Sequence, residues 1–262
     1  MDRLADSSPA QTLIAAHRGG YETDRKDEAP ENSVANIEVC YRKGFELYET
    51  DIQRTKDGHF VIVHDPTIER ETTGTGQVSE MTLTELKGLK KRYRDGSVSE
   101  ETVATLQEFL RAGRGRTIFK ADLKPGVSRY FGDILRVLQQ DDAVDQIIFR
   151  IPYREADFFA EYAEKNGPVP RHLLMFKVSS RQQIDDVSQR FDATTIEIKL
   201  RKSDPTTDHV LGLIRYAGEK GFVVEAHAEG GETDWQKLVD AGVRIFHTSG
   251  PSKVKAFLQK LP

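Results

Sequence analysis

From residue 13 almost to the end of the chain, short apolar runs alternate with stretches of helical periodicity. Strand-like runs fall at 13–17, 46–52, 59–64, 117–123, 146–151, 172–178, 194–200, 221–227 and 244–248. Helical stretches separate most of them, at 33–43, 82–91, 105–112, 129–140, 154–165, 180–190, 207–220, 233–241 and 252–260. Repeated strand–helix units predict a mostly parallel sheet. Eight or so units in 262 residues favour an α/β fold of the (β/α)8 barrel type over an open doubly wound sheet. Residues 1–12 are polar and small and are expected to form a loose terminus, leaving 13–262 as one barrel domain.

Nine strand candidates compete for eight places, and 194–200 is the first suspect for the extra one. The step from 46–52 to 59–64 is irregular. Thr55-Lys56-Asp57-Gly58 is a turn signal, and no room is left for a crossover helix. A hairpin-like distortion of the barrel is therefore expected there. Residues 66–116 form the longest interval between strands, and their two helical pieces are expected to cover part of the barrel mouth. Asn32 or Ser33 can cap the helix at 33–43, with Gly44 as its stop.

Composition excludes several classes of function. The formal net charge is −4 and the pI about 6.0, so nothing draws the whole chain to nucleic acid or to an anionic membrane. A mean hydropathy of −0.55 suits a soluble globular chain. The run Leu13-Ile14-Ala15-Ala16 is too short for a signal-peptide core or a membrane span, so no stable membrane insertion is expected. Cys40 is the only cysteine, which rules out an intrachain disulfide or a multi-cysteine metal centre and suggests a reducing cytoplasm. Its place in an apolar helix pattern marks it as structural. Phe158 and Phe159 read as core, and Trp235 as packing near its helix start. The cluster Lys87-Gly88-Leu89-Lys90-Lys91-Arg92-Tyr93-Arg94 reads as a solvated helix end rather than a headgroup site. The oligomeric state is left open.

The chemistry-bearing residues gather at strand ends. Glu49 and Asp51 are two apart on one strand, so both carboxylates point to one face. Two hard oxygen donors suit Mg²⁺ or Ca²⁺ better than zinc. His17 ends the first strand, before Arg18-Gly19-Gly20, and His64 ends the third, before Asp65. A histidine pair can divide proton removal from proton donation. Asp122 and Lys124 repeat the two-residue spacing, offering a further carboxylate and a cation for a phosphate oxygen. Arg18 can serve the same anion. Taken singly, each pair also fits ordinary strand-end polarity, and Glu197 and Lys199 share the spacing. The seven together, on one rim, describe a divalent metal and cations around a phosphate, with an acid and a base beside it.

The ordered series His17-Arg18-Gly19, Pro30-Glu31-Asn32-Ser33, Glu49-Thr50-Asp51, Thr55-Lys56-Asp57-Gly58 and His64-Asp65 resembles the glycerophosphodiester phosphodiesterase family. Weaker matches continue through Glu69-Arg70, Thr72-Thr73, Gly76, Thr82, Glu85-Leu86 and Thr105-Leu106. The resemblance covers roughly residues 13–125. It implies a distorted TIM barrel, a divalent cation, and hydrolysis of a small-molecule glycerophosphodiester to glycerol phosphate and an alcohol. It further implies His17 and His64 as the acid–base pair, Glu49 and Asp51 as metal ligands, and Arg18 and Lys124 as phosphate contacts. Asp122 takes the place of a metal-binding glutamate, one methylene shorter. Glu31 and Asn32 are expected to support the site, although they also fit a plain helix start. In the family's mechanism a neighbouring glycerol hydroxyl attacks phosphorus, and water opens the resulting cyclic phosphate.

The chain departs from the family pattern in a charged loop, residues 21–28, in the segment 224–229, and in His247-Thr248-Ser249-Gly250-Pro251. Glu225, His227 and Glu229 fit either strand-end polarity or recognition of a more hydroxylated group such as a sugar. Three functions remain open at this level: a glycerophosphodiester hydrolase; the same centre acting on another diester, such as an agrocinopine-type sugar-phosphate opine or a lysophospholipid; and a barrel that binds phosphodiesters without turnover.

Overall fold

The computed structural model describes residues 12–200, 206–228 and 230–261. Residues 1–11 of the expected loose terminus, and Glu229, lie outside them. The elements are β1 (Leu13–His17), α1 (Val34–Lys43), β2 (Leu47–Arg54), β3 (Phe60–Ile62), α2 (Leu83–Lys87), β4 (Lys90–Arg92), β5 (Val98–Thr102), α3 (Leu106–Gly113), β6 (Ile118–Leu123), α4 (Phe131–Gln140), β7 (Ile147–Pro152), α5 (Ala156–Asn166), β8 (Leu174–Val178), α6 (Arg181–Arg190), β9 (Thr195–Ile198), α7 (Asp208–Glu219), β10 (Val223–His227), α8 (Glu232–Ala241), β11 (Val243–Thr248) and α9 (Pro251–Leu258). With β1, β2 and β6 to β11 as the barrel strands, this is the (β/α)8 order expected from the sequence. Among the described residues no helix is long and apolar enough to cross a membrane.

The chain packs as two compact units. One comprises Ala16–Ile147 with Ser249–Pro251. In it β2 runs parallel to β6, from Leu47 opposite Ile118 to Ile52 opposite Leu123. On its other side β2 pairs antiparallel with β3, Ile52 opposite Ile62 and Arg54 opposite Phe60. The turn between them closes when the Thr55 hydroxyl accepts from the His59 N–H at 2.9 Å. A turn this short reverses the chain, so the following strand can pair only antiparallel. The ninth strand is therefore β3, and the expectation that 194–200 was the extra one is corrected: β9 pairs parallel with both β8 and β10.

After β3 the chain makes an excursion with its own apolar centre of Val61, Val63, Ile68, Val78, Leu86 and Val103. A capping box between Thr82 and Glu85 starts α2, which ends at Lys87 rather than at 91. Residues 90–92 are instead the first strand of an antiparallel hairpin, Lys90 opposite Thr102 and Arg92 opposite Val98. A second capping box, Thr105 with Glu108, starts α3 and returns the chain to β6. Ser33, extended at φ −116°, caps α1 through the Asn36 N–H, and Gly44 at φ 69° stops it. Cys40 is buried, its thiol donating to the Gly19 carbonyl, and burial pushes its pKa far up, as expected of a structural cysteine.

Among the described residues, the other unit comprises 12–15, 148–200, 206–228, 230–248 and 252–261. Its strands β7 to β11 pair in sequence order, all parallel. Phe149, Phe176, Ile196, Val224 and Phe246 fill its core. Phe159 is buried as expected, whereas Phe158 is 36% exposed. The two are adjacent on α5, and only one of them meets the core-facing stripe of the helix. Trp235 is buried early in α8 and packs edge-on against Phe257.

Candidate active site

The end of β1 turns sharply because Arg18, Gly19 and Gly20 all take positive φ, at 52°, 88° and 91°. A Cβ on Gly19 would lie 1.8 Å from the Asn36 amide oxygen, so glycine is required there. The left-handed Arg18 is a strained residue of the kind that collects at functional sites. The turn brings the Arg18 N–H to Glu49 Oε2 at 3.0 Å and His17 Nε2 to the same oxygen at 3.8 Å. His17 Nδ1 lies 2.9 Å from the Ser249 hydroxyl.

Glu49 and Asp51 do share one face of β2, and both are buried, at 3% and 1% exposure. Asp51 accepts from the Asn32 amide at 3.0 Å and lies 3.6 Å from Arg18 Nε. Asn32 is also left-handed, at φ 52°, so it cannot be the extended cap of α1, and its side chain serves Asp51 instead. Asp122 lies opposite Asp51 in the β2–β6 register. Lys124 Nζ stands between them, 2.7 Å from Asp51 and 3.6 Å from Asp122. Burial, and then the neighbouring Asp51, push the Glu49 carboxyl well above its ordinary range. Burial works the same way on Asp51, but Lys124, His64 and Arg18 outweigh it and hold that carboxyl below its ordinary range. The histidines thus flank the carboxylate pair, His17 beside Glu49 and His64 within electrostatic reach of Asp51.

His64 is held from behind. Its Nδ1 lies 2.6 Å from Asp65 Oδ1, and the N–H groups of His64 and Asp65 both donate to Glu71 Oε1, at 3.0 and 2.9 Å. Burial would raise the Asp65 pKa, but donors from Arg70 and His64 bring it down to about 2. Glu71 is buried, and its other oxygen faces the wholly buried Lys91 at 3.6 Å. The expectation of a solvated helix end at 87–94 is therefore corrected. The segment turns into β4, whose middle residue faces inward and meets a carboxylate there. Glu31 takes Arg18, Arg70 and Arg94 at 3.3, 2.8 and 3.4 Å. Burial opposes its ionisation, yet Arg18 and then Arg70 hold it below the ordinary range. Glu31 thereby ties the Arg18 turn to the segments that carry Arg70 and Arg94.

Asp24 in the 21–28 loop is buried, and its Oδ1 accepts the Arg94 N–H at 3.2 Å. Burial, then Glu31, raise its pKa to about 6. A raised carboxyl binds its proton more tightly folded than unfolded. Its contribution to stability is full below the unfolded pKa near 4 and is lost as pH rises through about 6. Asp24→Asn should therefore gain on wild type by about 2 kcal/mol between pH 4 and pH 7.5. Urea unfolding of both proteins at the two pH values checks this, and a constant difference would refute it.

His17, Arg18, Glu31, Asn32, Glu49, Asp51, His64, Asp122 and Lys124 all belong to one unit. Glu225 and His227 belong to the other, where Glu225 is buried 3.9 Å from His247 Nδ1 and the His227 and His247 rings meet edge to face. Sequence reasoning missed Ser249, Arg70, Glu71, Lys91 and Arg94 as supports. It also missed a buried Glu197 held between Arg150 and Lys177. Arg70 lay in the Glu69-Arg70 match, Lys91 and Arg94 in the basic cluster and Ser249 in the segment before Pro251, but none of these places showed a partner.

The family model for glycerophosphoryl diester phosphodiesterases matches residues 17–248. The chain belongs to that family. A glycerophosphodiester phosphodiesterase of Caldanaerobacter subterraneus subsp. tengcongensis is 37% identical over 124 residues, 47% of this chain. The match spans about half, 49%, of that relative's length. The crystal structure of a family member from Parabacteroides distasonis aligns with a TM-score of 0.82 at 22% identity, over 100% of this chain and 92% of that one. An Oleispira antarctica phosphodiesterase in complex with the product sn-glycerol-3-phosphate aligns at 0.76 and 23% identity, over 95% and 97%. At these identities the structural likeness carries the fold, the distorted (β/α)8 barrel of the family.

Proposed function

We propose that the chain hydrolyses glycerophosphodiesters to glycerol phosphate and an alcohol, with His17 and His64 as the acid–base pair. One observation carries this reading: a buried carboxylate pair flanked by two histidines, each with a second group on its Nδ1. Asp65 is ionised throughout the working pH range, so His64 Nδ1 is its donor and Nε2 is left to exchange a proton with the reacting group. The Ser249 hydroxyl, which can donate or accept, holds His17 through the same ring nitrogen. Arg18 and Lys124 face the carboxylates with cationic donors suited to phosphoryl oxygens.

Glu49, Asp51 and Asp122 would hold a divalent cation. The fit rests on the donor set: three hard oxygen ligands, one of them a carboxyl that burial and the neighbouring Asp51 push well above its ordinary range, which a bound cation would bring back down. Lys124, seated between Asp51 and Asp122, marks the same spot as cation-seeking. His64, Asp65 and Glu71 also bring donor atoms within 4.8 Å of one another, but Arg70, Lys91 and two backbone N–H groups already serve those carboxylates. When bound, a divalent cation supplies polarisation of a phosphoryl oxygen and lowers the pKa of a nearby hydroxyl. Mg²⁺ and Ca²⁺ both suit the donors. Glycerol is the favoured alcohol on the phosphate, supported by the family match; a sugar-phosphate diester is the second reading. A single buried cysteine suits a cytoplasmic setting.

Phosphorus NMR with glycerophosphocholine, glycerophosphoethanolamine, a lysophospholipid and a sugar-phosphate diester tests the proposal. Glycerol phosphate should appear with Mg²⁺ or Ca²⁺ from the first two, fall by about 100-fold or more under chelator, and return on adding metal back. Turnover of the sugar diester alone would move the substrate to the second reading. A folded, metal-loaded protein that turns over none of them would overturn the enzyme reading.

A further inference from the structure

Arg94 stands at the tip of the β4–β5 hairpin, in a turn closed by the Tyr93 N–H to the Ser97 carbonyl at 2.9 Å. Its guanidinium lies over the Tyr21 ring, 3.5 Å from the centroid. Its own N–H is fixed on Asp24. Tyr21 in turn abuts His17, their ring centroids 5.2 Å apart, and donates its N–H to the Ser249 carbonyl at 2.9 Å. The hairpin tip is thereby keyed into the charged loop beside the proposed acid–base group.

The charges around Glu31 are unevenly matched. One buried carboxylate is shared by three guanidiniums. Arg18 also faces Asp51, and Arg70 also holds Asp65 and Glu71. Arg94 is held on Glu31 by the longest of the three contacts, and its side chain is 40% exposed. A guanidinium stacked on an aromatic face and pinned through its backbone loses little freedom when an anion arrives, and its planar fork suits an oxyanion. We propose that Arg94 is a specificity-determining residue that reads a second oxyanion on the substrate. A diester whose alcohol half carries a phosphate or carboxylate is then preferred over one whose alcohol half is uncharged. This rests on the phosphodiesterase reading, and deepens it by naming the class of alcohol.

The test compares glycerophosphoinositol with glycerophosphoinositol 4-phosphate, a pair differing by one phosphate group, with glycerophosphoserine as the carboxylate arm. Turnover and calorimetric binding are measured on the metal-loaded wild type, Arg94→Gln and Arg94→Lys. Wild type should favour the phosphorylated diester in kcat/KM, and Arg94→Gln should cut that preference about 10-fold or more, with Arg94→Lys between. An equal loss on both diesters would mark Arg94 as merely structural and overturn the proposal, as would a wild type without preference. If no diester is hydrolysed but the phosphorylated one binds more tightly through Arg94, the enzyme reading falls and this one stands. Absence of both turnover and binding overturns both.

Discussion

Replacing His64 by alanine should lower kcat by about 10²- to 10⁴-fold, with KM little changed and the far-UV circular dichroism of wild type retained. The size follows from what the residue has around it. Asp65 stays a carboxylate because Arg70 and His64 hold its pKa at about 2. It therefore fixes the proton on His64 Nδ1, and the ring turns Nε2 toward the reacting group. Glu71 fixes the backbone of both residues. Alanine removes the proton-transferring ring and leaves that scaffold in place, so the loss belongs to the transition state rather than to folding or ground-state binding. The His64 side chain is 30% exposed, so its removal opens no buried cavity. Steady-state kinetics with the metal-loaded protein decide the matter. A fall of less than about 10-fold would remove His64 from the chemistry.

Glu71→Gln should cost about 3–5 kcal/mol of folding stability, seen as a melting temperature lower by roughly 10 °C. Lys91 is wholly buried, and Glu71 is the carboxylate it faces. Removing that charge strands an ammonium away from water, which is far dearer than losing an exposed pair. The double variant Glu71→Gln, Lys91→Met should recover most of the loss, because no charge is then left unpaired. Glu71→Ala goes further: it also takes the acceptor from the His64 and Asp65 N–H groups, so activity should fall with stability. Glutamine keeps that acceptor oxygen and should spare more of the activity. If the single and double variants are equally unstable, Lys91 and Glu71 are not energetically coupled.

The candidate site divides cleanly by how its members are linked in sequence. Glu49 and Asp51 were legible because a two-residue spacing on a strand is itself a geometric statement. His17 with Arg18-Gly19, and His64 with Asp65, were legible because strand ends and glycine turns are local features. The supports were not. Ser249 reaches His17 from near the other end of the chain, and Lys91 reaches Glu71 across a hairpin. Lysines and arginines within 87–94 look like surface charge until the fold turns one of them inward. The same holds for Asn32, which reads as a helix cap until its backbone is seen to be left-handed.

By itself the sequence determined the alternation of strands and helices, the turn that breaks it after β2, and the acidic and histidine positions at strand ends. Periodicity, capping and turn chemistry are short-range physics, written within a few neighbouring residues. The tertiary structure alone decided which strand was the ninth, that Lys124 stands between Asp51 and Asp122, and that three arginines share Glu31. Those outcomes depend on burial, and burial makes distant charges find each other. Away from water an unpaired charge is too costly to keep, so the fold rather than the local sequence chooses its partner.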